Sequence, residues 1–134
     1  MATESRLKGK RILAVDDEED ILETIEDILD EADLDLAGDY DTASRKIRQN
    51  RYDLAILDIM GVNGLKLLTE TVEQVIPTVM LTAHAIKPDT LMESIRKGAI
   101  SYLPKEALTD LDDLLEQLLA IRSAVAGGTA PTTL

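Results

Sequence analysis

Ile12-Leu13-Ala14-Val15 and Leu54-Ala55-Ile56-Leu57 are unbroken aliphatic runs, and each stops at an aspartate. Runs this short do not make a helix, and the absence of polar alternation rules out a strand with one wet face. Strands buried on both sides belong to a parallel sheet covered by helices on both faces. Thr78-Val79-Met80-Leu81 and Ile100-Ser101-Tyr102-Leu103 read as two more such strands, the first opened by Pro77, where a missing N–H costs least. Asp33-Leu34-Asp35-Leu36 alternates, as an exposed edge strand does. The four more apolar strands are therefore expected at the centre of the sheet.

Helical spacing fills the gaps between these runs. Ile21, Leu22, Ile25, Ile28, Leu29 and Ala32 share one face of a first helix that begins among acids, which suit a helix N-terminus. A short second helix carries Ala43 and Ile47, with Asp41 or Thr42 as its cap. A third places Leu65, Leu68, Val72 and Val75 inward. A fourth, started by Pro88 and stopped by Gly98, turns Leu91, Met92 and Ile95 to the core. Leu111, Leu114, Leu115, Leu118 and Ile121 form the buried face of a fifth that fades after Val125. The alternation predicts an α/β fold, doubly wound around a parallel sheet. Residues 1–9 are expected to be loose, 10–125 to form the domain, and 126–134 to be a flexible tail or the start of a linker.

Acids outnumber bases 26 to 14, a net charge of −12, which leaves no basic footprint for nucleic acid or an anionic membrane surface. The absence of cysteine excludes disulfides, thiol catalysis and thiolate metal sites. No apolar stretch approaches the ~20 residues of a membrane span, and no signal-peptide core is present. A cytoplasmic protein is the expectation.

The polar residues at the strand ends carry the chemistry. Asp16 and Asp17 follow the first run, Asp58 the third; Thr82 ends the fourth, and Tyr102 and Lys105 mark the fifth. One edge of a parallel sheet is where such a fold builds its site. Three converging carboxylates repel one another unless a cation sits among them, and oxygen ligands suit Mg²⁺. Lys105 offers a compact positive charge and Thr82 a hydroxyl donor, a set suited to handling a phosphoryl group. Singly, each is as well explained by a solvated acid, a surface lysine or an ordinary strand threonine.

In this order, Ile12-Leu13-Ala14-Val15-Asp16-Asp17, Ala55-Ile56-Leu57-Asp58-Ile59-Met60, Val79-Met80-Leu81-Thr82-Ala83 and Gly98-Ala99-Ile100-Ser101-Tyr102-Leu103-Pro104-Lys105 resemble the response-regulator receiver domains of two-component signalling, over about residues 10 to 122. The resemblance implies a flavodoxin-like (βα)5 fold with strand order 2-1-3-4-5. It implies phosphorylation of Asp58 by a histidine kinase or phosphotransfer protein, and Mg²⁺ held by Asp16, Asp17, Asp58 and the backbone carbonyl of Met60. It further implies that Lys105 pairs with the phosphoryl group, and that Thr82 and Tyr102 form a switch. The output partner would bind the face built by helix 4, strand 5 and helix 5, in a monomer or a phosphorylation-dependent dimer without direct nucleic-acid contact.

Three departures from the family pattern stand out. Ile59-Met60-Gly61-Val62-Asn63-Gly64 is two residues shorter than the usual loop and lacks its proline. Glu106 replaces the frequent proline after Lys105, so a cis Lys–Pro bond is not expected. By the same resemblance, Met60 and His84, two positions after Asp58 and Thr82, would flank the route of hydrolytic water. Two rival readings are a small phosphatase with an aspartyl nucleophile, which only Asp16 with Glu18 could satisfy, and a pseudo-receiver that no longer takes phosphate. The expected role is a switch rather than an enzyme with an external substrate.

Overall fold

The computed structural model describes residues 5–83 and 86–126, the side chains of 123–126 excepted. His84 and the tail from Gly127 lie outside the described residues. In chain order the elements are β1 (Arg11–Val15), α1 (Glu19–Ile28), β2 (Asp33–Ala37), α2 (Tyr40–Gln49), β3 (Leu54–Asp58), α3 (Gly64–Glu73), β4 (Thr78–Thr82), α4 (Pro88–Arg96), β5 (Ser101–Pro104) and α5 (Leu111–Ala126). A 3₁₀ segment, Lys105–Asp110, joins β5 to α5. The strands are all parallel in the order β2-β1-β3-β4-β5. This is the doubly wound flavodoxin-like order expected.

The pleat divides the core in two. Leu13, Val15, Ala55, Leu57 and Met80 face Ala43, Ile47, Leu67 and Leu68 of α2 and α3. Ile12, Ala14, Leu54, Ile56, Val79 and Leu81 face Ile25 of α1 and Leu111, Leu115 and Leu119 of α5. The aliphatic runs thus become β1 and β3, which are closed on both faces and flanked by strands on both sides.

Several sequence expectations need correction. β5 is an edge strand, not a central one: Ile100 is 44% and Tyr102 46% exposed, and only Leu103 of the strand is buried. On α4, Met92 and Ile95 face outward, while the buried residue is Ser94, whose hydroxyl donates to the Leu91 carbonyl at 2.7 Å. Val72 of α3 and Val75, two residues past the helix's end, are exposed, and the inward positions go to Leu67, Leu68 and Thr71. Thr71 satisfies its hydroxyl by donating to the Leu68 carbonyl and accepting from Thr78 Oγ1. The cap of α2 is Asp39, which accepts from the Thr42 backbone N–H at 2.8 Å, rather than Asp41 or Thr42. In the segment read as loose, Leu7 is buried in the α1/α5 layer and Ser5 donates to Glu116.

The other edge, β2, is held by Asp35. Lys46 Nζ and Tyr52 Oη both donate to its carboxylate at 2.6 Å. Burial works against the Asp35 charge, but those two bonds and the Lys46 charge hold its pKa below the usual aspartate value.

Candidate functional site

Val15 of β1 stands beside Leu57 of β3, so the residues that follow, Asp16 and Asp58, emerge together at the C-terminal edge of the sheet. Asp16 remains in the ladder through its N–H to the Ala37 carbonyl and is fully buried. Asp58 is 3% exposed. Asp17 turns outward towards solvent. Carboxylate oxygens of the three lie within 4.8 Å of one another. At about 4 to 5 Å, and at an effective dielectric of about 20, each like-charged pair repels by roughly 3–4 kcal/mol.

Lys105 answers that charge from β5's far end. Its Nζ lies 2.7 Å from Glu18 Oε2, 3.0 Å from Asp16 Oδ2 and 3.4 Å from Asp58 Oδ1. Burial disfavours the ammonium, but the hydrogen bond to Glu18, the close Asp16 carboxylate and the nearby Asp58 charge hold its pKa above the usual lysine value. Asp16 shifts upward: loss of hydration outweighs the Glu18 backbone N–H and the Lys105 ammonium, and the Asp58 charge adds to the rise.

Two features fit a divalent cation. Asp16 Oδ2 is buried without a hydrogen bond, although the Lys105 ammonium is near. The second feature is the loop after β3. Gly61 donates its N–H to Asp58 Oδ2 at 3.0 Å, and a Cβ at this glycine would come within 2.2 Å of Asp17 Oδ1 and 2.6 Å of Asp58 Oδ2. Those two oxygens therefore face one gap that only a glycine leaves clear. An all-oxygen donor set with an exposed side suits a hard cation that keeps some of its water.

Relief of the repulsion has a measurable sign. Asp17→Asn is expected to raise the metal-free melting temperature by about 3–5 °C, for roughly 1 kcal/mol of relieved strain, and to lose most of the Mg²⁺-induced shift. Calorimetry of both proteins with and without Mg²⁺ reads both effects. An undiminished Mg²⁺ shift in the variant removes Asp17 from the metal site.

Of the remaining sequence candidates, Thr82 is buried at 2% beside Asp58's strand, at the end of β4. Tyr102 pairs with Met80, two residues before Thr82, so strand alternation puts the Tyr102 and Thr82 side chains on the same face of the sheet. The Met60 side chain points outward and is 64% exposed. Sequence reasoning missed two residues of the site. The sequence suggests Glu18 only as a phosphatase acid, yet it grips Lys105; it shows Gly61 only as part of a short loop, yet its N–H binds Asp58. A cavity of about 570 Å³ is lined by Lys10, Asp53 and Pro77 at the strands' opposite ends and shares no residue with this cluster.

Comparison with known proteins identifies the family and the fold. Residues 12–119 match the model of the response regulator receiver domain. A two-component response regulator of Arabidopsis thaliana is 33% identical over 104 residues, 72% of this chain but 19% of its own length. The response regulator ArlR of Staphylococcus saprophyticus is 31% identical over 116 residues, 83% of this chain and 51% of its own. The chain thus spans only part of the curated relatives it matches. Among solved structures, a CheY-like receiver domain protein from Methanospirillum hungatei superposes with a TM-score of 0.78 at 25% identity, over 87% of this chain and 98% of that one.

Proposed function

The chain belongs to the response-regulator receiver domain family, and from that premise we propose that its switch is set by a phosphoryl group on Asp58. The observation that carries the reading is the convergence of Asp58, the Asp16–Asp17 pair and Lys105 at one sheet edge, with Lys105 Nζ 3.4 Å from Asp58 Oδ1. Asp58 Oδ2 is occupied by the Gly61 N–H and faces the gap shared with Asp17. That leaves Oδ1, on the Lys105 side, as the attacking oxygen. It bonds to phosphorus while the bond to the donor breaks, and the electron pair leaves with the donor's histidine nitrogen or acyl oxygen.

Catalysis of this kind is positioning and charge stabilisation. Lys105 neutralises phosphoryl oxygens from one side, and Thr82 supplies a hydroxyl from β4. Asp16, Asp17, Asp58 and the Met60 carbonyl would hold Mg²⁺, which supplies further neutralisation of the phosphoryl charge when bound. The donor is a histidine kinase or a phosphotransfer protein. Once formed, the phosphoryl group draws Thr82 inward, and Tyr102 on the same face follows it. The output surface is the α4–β5–α5 side, where Met92, Ile95, Ile100, Tyr102 and Ile121 leave apolar area exposed.

The rival readings are not favoured. A phosphatase centred on Asp16 would need a fully buried carboxylate as nucleophile and Glu18 as its acid, yet Glu18 is engaged with Lys105. A pseudo-receiver would have no need of an intact acid–lysine cluster.

Acetyl phosphate with Mg²⁺ tests the proposal. Intact mass should rise by one phosphoryl group, and the gain should vanish in Asp58→Asn and in the presence of a chelator. Labelling that persists in Asp58→Asn moves the nucleophile to another acid.

A further inference from the structure

We propose that Glu18 is a positioning residue that holds Lys105 back from the phosphoryl-accepting oxygen and so slows phosphorylation. The inference rests on the reading of Asp58 as acceptor and adds a control on its rate. Three carboxylates surround the Lys105 ammonium, and Glu18, outside the metal-ligating set, is the nearest at 2.7 Å. The Lys105–Glu18 contact has hydrogen-bond geometry, whereas Asp16 Oδ2 stays without a hydrogen bond at 3.0 Å. Asp58 Oδ1 is the farthest at 3.4 Å. The lysine is drawn towards the rim of the site rather than to its acceptor.

Glu18 is placed for this and for little else. It is the N-cap residue of α1, yet its side chain makes no capping bond to that helix. Asp, Asn, Ser or Thr would be the usual choice there, each short enough to reach back to the helix N–H groups. The longer Glu18 side chain instead reaches across 87 positions of sequence to Lys105. Its own backbone N–H donates to Asp16 Oδ1 at 2.8 Å, so the residue is fixed to the acid cluster while its carboxylate extends to the lysine.

In transfer from acetyl phosphate, Asp58 Oδ1 forms a bond to phosphorus and the acyl P–O bond breaks. Acetate leaves with the electron pair. Lys105 must at that moment turn an N–H towards a phosphoryl oxygen, and it does so at the expense of Glu18. Glu18 is 59% exposed, so its hold is modest and screened by salt.

The experiment compares wild type, Glu18→Gln and Glu18→Asp in acetyl phosphate and Mg²⁺, with phosphorylation rates followed by intact mass. Glu18→Gln removes the charge. Glu18→Asp keeps the charge but withdraws it by one methylene, out of reach of Lys105. Both variants are expected to be phosphorylated about two- to fivefold faster than wild type, the span set by an exposed ion pair, with the advantage shrinking at high salt. The Lys105 ammonium resonance should shift in both while the Mg²⁺-induced thermal shift stays put. Equal rates in all three proteins overturn the proposal. Acceleration in Glu18→Gln alone also overturns it, because simple repulsion of the anionic donor would then be the cause. A wild type that takes no label overturns the reading of Asp58, and this inference with it.

Discussion

Gly61→Ala is expected to abolish the Mg²⁺ response and to cut phosphorylation of Asp58 by at least about tenfold, while the fold survives. The new methyl would lie 2.2 Å from Asp17 Oδ1 and 2.6 Å from both Asp17 Cγ and Asp58 Oδ2. All three are side-chain atoms: the exposed Asp17 side chain can swing aside, and the Asp58 carboxylate must turn away from its bond to the residue 61 N–H. The backbone therefore stays, and a donor oxygen leaves the gap it shares with Asp58. Misplacing a catalytic group by about 1 Å can cost on the order of 100-fold. Mass spectrometry after acetyl phosphate treatment and melting with and without Mg²⁺ read both effects. A variant that accepts phosphate and Mg²⁺ like wild type would show that the gap is not the metal cradle.

Gly64→Ala carries the same methyl to a different result. Here the added atom would meet the Asp58 carbonyl oxygen at 2.1 Å and Ile59 Cα at 2.7 Å, both main-chain atoms. No side chain can swing aside, so the start of α3 must lift from the end of β3. Overpacking that forces backbone movement costs about 3 kcal/mol at its upper range, which corresponds to a fall in Tm of roughly 10 °C. Urea denaturation of the two glycine variants in parallel separates the cases: one midpoint holds and the other drops. An unchanged midpoint for Gly64→Ala would mean that α3 begins farther from β3.

These glycines mark the limit of what the sequence discloses. The junctions at Asp16, Asp17 and Asp58 were legible because an aliphatic run that stops at acid encodes strand and strand end together. Thr82 and Lys105 followed from the same rule. Gly61 was not legible as a site residue because its role is the space it leaves for Asp17, 44 positions away. Glu18 was obscured by the many acids around it; its contact with Lys105 depends on how β5 ends beside β4, not on any local pattern.

The misread faces have a common physical cause. Periodicity finds the apolar stripe of a helix, but Ser94 and Thr71 take inward positions by bonding their hydroxyls to their own helices' carbonyls. Met92, Ile95 and Val72 are left outside in consequence. β5 misled for a related reason. Its apolar content is shared between a single buried leucine and an exposed tyrosine, as befits a strand with a neighbour on one side only.

The strand order also apportions local stability. The acids at the ends of β1 and β3 ride on two of the three strands, β1, β3 and β4, that are enclosed by neighbours and by both helical layers, so their amides are expected to open only with the whole domain. Tyr102 sits on a four-residue border strand next to a helix that buries a serine, where opening is sub-global and less costly. The acid cluster thus sits on strands expected to exchange slowly, and Tyr102 on one expected to exchange faster. The phosphoryl group proposed for Asp58 would then redistribute the border's conformers without loosening the centre itself.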